Sequence, residues 1–188
     1  MRLLLASKSP RRRQLLAELG YPVEIVNIDV DEHLECPLAA CDVAEHLARR
    51  KMQAYPVEQL AANAVLVTAD TVVVLDGQVL GKPSSHEEAS AMLHNLSGRS
   101  HEVYTGVCLR SRQQTRSFTE RTTVHFRTLE DSEIEHYIDQ YRPYDKAGAY
   151  GIQEWIGMVG ISGIDGCFYN VMGLPLAQLY ATLKAMMP

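Results

Sequence analysis

Apolar positions along the chain follow two rhythms: short solid runs, and stripes spaced three and four residues apart. "RLLLA" (2–6) predicts a buried strand, and residues 10–19 a helix with Pro10 in its first turn, Ser9 or Ser7 as cap and Gly20 at its end. "PVEIVNI" predicts a second strand, and residues 39–54 a helix with Val43, Ala44, Leu47 and Ala54 on one stripe. The run "AVLVTADTVVVL" (64–75) is the strongest strand signal, and Asp76-Gly77 turns it tightly into "QVLG". Ser84 or Ser85, each three residues before a Glu, predicts a capping box for a helix carrying Ala89, Met92, Leu93 and Leu96. Residues 102–110 and 118–127 read as a long hairpin. The segment 130–141 reads as a helix with Ile134, Tyr137, Ile138 and Tyr141 on its apolar face. Beyond the Gly-rich loop "YDKAGAYGIQ", strands are expected at 155–161 and 166–172. Pro175 then opens a last helix with Leu176, Leu179, Tyr180, Leu183 and Met187 in step. This order predicts an α/β protein with a mixed sheet, residues 1–188 forming one domain, with room for two lobes.

Composition narrows the class. With 46% hydrophobic and 22% charged residues among 188, the chain reads as an ordinary soluble globular protein. No apolar run approaches the ~20 residues of a membrane span. "MRLLLASKSP" is too short an apolar stretch for a secretory signal, so the expected location is the cytoplasm. Cys36, Cys41, Cys108 and Cys167 lack CxxC spacing, and His33 and His46 beside the first two are too loosely placed for zinc; free thiols are expected. A net charge of −5 argues against a nucleic-acid partner gripped by a broad basic surface, which makes a local basic cluster more telling.

That cluster is "ASKSPRRR" (6–13), where a strand turns into a helix. Free N–H groups and the macrodipole make a helix N-terminus an anion site, and arginines grip phosphate bidentately. Cations in a first turn oppose the dipole unless an anion joins them, so Arg11, Arg12 and Arg13 point to phosphate. Asp70 interrupts the apolar strand, where an unpaired carboxylate is costly; it needs a cation, a metal or a catalytic task. Lys51 lies four residues after Leu47 on an otherwise apolar stripe, Lys82 precedes a helix cap, and Lys146 sits among small residues that admit close backbone approach. One carboxylate amid several cations suits polyphosphate hydrolysis. The GxxxxGK[ST], GxSxG and HExxH motifs are absent from the sequence.

With those segments together, the sequence resembles the Maf family of nucleoside triphosphate pyrophosphatases. The resemblance rests on "LASKSPRR" (5–12), "TADTVVVLDGQVLGKP" (68–83), "SGRSHEVYTGV" (97–107), "DKAGAYGIQ" (145–153) and "NVMGLPL" (170–176). It implies an ITPase-like (Maf/Ham1) fold, an elongated mixed β-sheet flanked by helices, with two lobes around a cleft. It implies cleavage of a nucleoside triphosphate to the monophosphate and pyrophosphate, a divalent cation (Mg²⁺ or Mn²⁺), and a homodimer with no membrane partner. The proton acceptor falls on Asp70, with Lys51 and Lys82 beside it in the catalytic set. Phosphate contacts fall on Ser7, Arg12 and Lys146, and metal ligation on Glu32 and Asp70. Specificity falls on Arg11, Thr71 and Gln153, a combination resembling the dTTP/UTP branch; the 7-methyl-GTP branch carries an aromatic residue, Gln and Glu there. The Gln153 amide can accept from N3–H and donate to O4 of uracil or thymine, although a flipped amide pairs with cytosine as well. Pyrophosphatases of 7-methyl-GTP or other triphosphates, and a non-catalytic nucleotide-binding regulator of septum formation, are the competing readings. Trp155 is expected in the core rather than on a base, and His101 as a hydrogen-bonded strand-end histidine.

Overall fold

The computed structural model describes residues 1–31, 33 and 38–186. Its strands are β1 (Arg2–Ala6), β2 (Val23–Ile25), β3 (Ala64–Leu75), β4 (Gln78–Leu80), β5 (Ser100–Arg110), β6 (Thr115–Phe126) and β7 (Ile161–Asp165). They form one seven-stranded sheet in the order β2-β1-β3-β5-β6-β7, with β4 paired to β3 off that path. β1 is parallel to β2 and β3, whereas β4 and β7 run antiparallel to β3 and β6, so the sheet is mixed as expected. The helices are α1 (Pro10–Ala17), α2 (Ala40–Gln53), α3 (His86–Leu96), α4 (Asp131–Tyr141), α5 (Trp155–Gly160), α6 (Phe168–Val171) and α7 (Leu176–Met186). No helix among the described residues is long and apolar enough to cross a membrane.

The local signals act as read at most joints. Ser9 caps α1 and accepts from the Arg12 N–H, and Ser85 caps α3 and accepts from the Glu88 N–H. Glu88 reaches back to the Ser84 N–H and hydroxyl, each at 2.7 Å. Asp76 and Gly77 both adopt positive φ, 52° and 78°, as a two-residue hairpin turn requires.

Two expectations fail. Residues 155–160 are helical, not a strand, and the strand begins only at Ile161. The Gly157 and Met158 N–H groups both return to the Glu154 carbonyl, at 2.9 and 3.3 Å. Only a glycine permits this winding, because a Cβ at position 157 would sit 1.8 Å from the Ile152 carbonyl oxygen. The second failure is 166–172. β7 stops at Asp165, Gly166 takes φ 130°, and α6 follows. Buried Asn170 anchors that turn by donating to the Val103 carbonyl and the Thr122 hydroxyl.

The chain divides into two compact units, one of Met1–Thr71, Thr105–Glu120 and Gly173–Pro188, the other of Val72–Tyr104 and Arg121–Met172. In the first, Leu4, Ala6, Ala64 and Leu66 of β1 and β3 pack with Ala48 and Met52 of α2. α2 has no side-chain cap, so its buried row of Val43, Ala44, Leu47, Ala48 and Met52 holds it; each large member contributes ~1.5–3 kcal/mol relative to exposure. In the second unit, Val73 and Leu75 share a core with Leu93 and Leu96 of α3 and with Ile134, Tyr137 and Ile138 of α4.

Candidate active site

The predicted residues fall into two groups, each inside one unit. In the first unit β3 is buried along its length except at Asp70 and Thr71. Side chains alternate across a strand, and the contacts follow that rule. Thr68 donates to the Ala48 carbonyl of α2 at 2.7 Å, and Asp70, two residues on, meets Lys51 of α2. The Lys51 ammonium donates to Asp70 Oδ1 at 2.5 Å, with both side chains 14% exposed. The carboxylate in the strand and the lysine in the apolar stripe are therefore one pair. Each offsets part of the cost of desolvating the other.

Thr71 faces the other way, toward α1. Its hydroxyl accepts from Arg12 Nη2 at 2.8 Å and pairs with the Thr105 hydroxyl at 2.9 Å. The same guanidinium donates to the Ala69 carbonyl at 2.9 Å and to the Gly173 carbonyl at 2.8 Å. Arg12 thus grips β3 on both sides of Asp70, just where the β1 ladder ends at Ala6↔Thr68. Ser7 Oγ accepts from the Ser9 N–H at 3.2 Å, and Arg11 is half-buried in the first turn of α1, which holds no acidic residue. Glu32, the other residue expected at a metal, lies outside the described residues, as do Cys36 and Met187. Cys41, Cys108 and Cys167 are free thiols, and burial pushes Cys108 up to about 11.

In the second unit, Lys82 is exposed, and its neighbour Gly81 accepts from the Gly148 N–H at 3.0 Å, which pins the "KAGAYGIQ" loop beside it. Lys146 is buried, its ammonium 2.7 Å from Asp145 and 3.1 Å from Glu154. The Tyr137 hydroxyl donates to Glu154 and accepts from the Gly151 N–H at 3.0 Å. Burial, with the Glu154 carboxylate beside it, pushes the Tyr137 phenol well above its ordinary value. His101 is buried and pairs through Nε2 with the Tyr150 hydroxyl at 2.7 Å; burial, with the charge of His125, lowers it to about 4. Gln153 Oε1 is buried and has no hydrogen-bond partner among the described residues. Trp155 packs half-buried against the core, edge-on to His136 at 4.9 Å, as expected of a core tryptophan.

Among the described residues no three His, Cys, Asp or Glu side chains converge on one point. Asp70 still suits a hard cation: its Oδ1 is taken by Lys51, and Oδ2 has no hydrogen-bond partner among the described residues. Mg²⁺ is commonly held by one or two carboxylates together with substrate phosphates, so this donor set is adequate in kind. Sequence reasoning missed Thr105, Glu154 and the hydroxyl role of Tyr137. Tyr137 reads as one more apolar residue on a helix face, and no local pattern flags an acid after "GIQ".

The family model described as "Maf-like protein" matches residues 2–186. A "dTTP/UTP pyrophosphatase" of Bacteroides thetaiotaomicron is 48% identical over 183 residues, covering 97% of this chain and 94% of that protein. Proteins of the same description from Porphyromonas gingivalis and Christiangramia forsetii are 48% and 41% identical, covering 97% and 98% of this chain and 93% and 94% of theirs. Among solved structures, the Staphylococcus aureus Ham1 protein aligns with 67% of this chain and 72% of its own at TM-score 0.47 and 16% identity. With its family model matched almost end to end and relatives nearly half identical over almost their whole length, the chain belongs to the Maf-like protein family.

Proposed function

We propose that this chain is a nucleoside triphosphate pyrophosphatase that hydrolyses dTTP and UTP to the nucleoside monophosphate and pyrophosphate. The observation that carries the reading is the Lys51–Asp70 pair, a carboxylate held at 2.5 Å by an ammonium at the one break in a buried strand. The relatives named dTTP/UTP pyrophosphatases, up to 48% identical, support the substrate.

In this reading Asp70 accepts the proton of the attacking water, while Lys51 fixes the carboxylate. Water oxygen bonds to the α-phosphorus, the bond from that phosphorus to the bridging oxygen breaks, and pyrophosphate leaves with the electron pair. General-base catalysis of this kind contributes ~10²–10⁴ in rate. Phosphate contact is assigned to Ser7 and Arg12 at the α1 N-terminus and to Lys146, Lys82 belongs to the catalytic set, and Arg11 and Thr71 serve specificity. A divalent cation, Mg²⁺ or Mn²⁺, held by Asp70 and Glu32, offsets triphosphate charge when bound. Gln153 reads the base, its buried Oε1 accepting from N3–H of uracil or thymine. The protein works in the cytoplasm as a homodimer.

The test is product analysis with Mg²⁺ or Mn²⁺ on dTTP, UTP, CTP and 7-methyl-GTP, with Asp70→Asn beside the wild type. Monophosphate and pyrophosphate from dTTP and UTP, with kcat lowered at least ~10²-fold in the variant, is the expected result. Nucleotide binding without turnover would sink the enzyme reading and favour a ligand-sensing regulator. Preferred turnover of 7-methyl-GTP would reassign the base.

A further inference from the structure

We propose that Glu154 and Tyr137 are positioning residues for base selection, bracing the 146–153 loop so that the Gln153 amide is presented in one orientation. The inference rests on the reading of Gln153 as the base-contacting residue.

The loop needs bracing because its backbone is unfavourable. Gly148 and Ala149 both adopt positive φ, 69° and 61°, and Ala149 is fully buried there. An L-residue enters this region only when its surroundings over-determine it. Three ties do so. The Glu154 carboxylate receives the Lys146 ammonium at 3.1 Å and the Tyr137 hydroxyl, which joins the two ends of the loop. The Tyr137 hydroxyl in turn accepts from the Gly151 N–H at 3.0 Å, and the Tyr150 hydroxyl pairs with buried His101 at 2.7 Å. A Cβ at position 151 would come within 2.9 Å of the Glu154 carboxylate carbon, so any larger residue there would push that side chain off its partners.

None of these ties engages Gln153 Oε1, which is left buried without a partner among the described residues. A buried polar atom left unpaired is costly, and such atoms mark places where another group completes the bonding. Uracil and thymine present N3–H to that oxygen, whereas cytosine requires the amide turned over. A loop free to shift lets the amide turn and serve both bases. Selection therefore depends on the braces as well as on Gln153 itself.

The experiment measures kcat/KM for UTP and CTP, with Tm, for wild type, Gln153→Ala, Glu154→Ala, Glu154→Gln and Tyr137→Phe. Wild type prefers UTP and Gln153→Ala abolishes the preference. Glu154→Ala and Tyr137→Phe lower the UTP:CTP ratio by about tenfold, the weight of one oriented hydrogen bond. Glu154→Gln, whose amide oxygen still accepts from Tyr137, retains most of the ratio. A structural role alone changes Tm, or lowers both substrates by one factor, and that result overturns the inference. An unchanged ratio in Glu154→Ala and Tyr137→Phe beside a lost one in Gln153→Ala refutes the bracing role alone. An unchanged ratio in Gln153→Ala refutes the base-reading assignment and the inference with it. Failure of wild type to turn over UTP refutes the functional reading from which both follow.

Discussion

Replacing Gly106 of β5 by alanine tests how α2, and with it Lys51, is held against the sheet. A Cβ at position 106 would lie 2.3 Å from the Glu45 backbone nitrogen and 2.4 Å from the Ala44 carbonyl carbon and Glu45 Cα. Ordinary contact begins near 3.4 Å, so the helix must retreat by about 1 Å. The obstruction is helix backbone, which cannot swing aside as a side chain does. Overpacking typically costs about 1–3 kcal/mol, and this geometry belongs at the upper end. The entropic gain of Gly→Ala, ~0.4–1 kcal/mol, offsets only part of that. For a chain of this size a net loss near 2 kcal/mol lowers Tm by about 4–8 °C. The retreat also lengthens the 2.5 Å Lys51–Asp70 contact, so turnover falls with stability. Calorimetry of Gly106→Ala beside Gly163→Ala isolates the effect, because a Cβ at 163 meets only His125 Cδ2 at an ordinary 3.7 Å. Equal Tm values for Gly106→Ala and wild type would refute the close-approach argument.

Other perturbations probe charge. Lys51→Met leaves Asp70, 14% exposed, without its ammonium; denaturant unfolding should show a loss of ~1–3 kcal/mol, below the 3–5 of a fully buried pair, and adding Asp70→Asn should recover stability but not turnover. His101 is lowered from 6.5 to about 4, so the unfolded chain takes up a proton first as pH falls. Stability should therefore drop on the order of 3 kcal/mol between pH 6.5 and 4, and His101→Gln should flatten that slope; an unchanged slope would remove the buried neutral imidazole from the account. Hydrogen bonds from Arg127, with the Glu130 N–H, lower Glu133 from 4.5 to about 2. Its contribution is present above pH 4.5 and lost as pH falls toward 2, so urea midpoints of Glu133→Gln and wild type should converge across that window.

Where one residue dictates local geometry, the chain was legible from sequence. The strand 64–75, the serine caps and the Asp76-Gly77 turn all lie where their local physics puts them. The failures at 155–160 and 166–172 share a cause. "WIGMVG" and "GCFYNVM" are apolar enough for either period, and the deciding contacts, Gly157 on Ile152 and Asn170 on Val103 and Thr122, reach beyond any local window. Tertiary hydrogen bonds overrode a pattern that was ambiguous to begin with.

The candidate site shows the same division at closer range. That Asp70 needed a cation followed from its setting in an apolar strand, and that Lys51 was out of place followed from its helix stripe. Neither anomaly alone named the other as its partner. The strand period and the helix register together do, because α2 packs on the row of β3 that carries Leu66, Thr68 and Asp70. Thr71, adjacent in sequence, faces away and is held by Arg12 and Thr105. The arginine expected to meet phosphate thus also fixes the strand that carries the carboxylate. A guanidinium has five donors, and three of them here go to Ala69, Thr71 and Gly173. A lysine at position 12 could supply charge but not that fork, so Arg12→Lys should lower kcat through a displaced Asp70, whereas a residue that only gripped phosphate would chiefly raise KM.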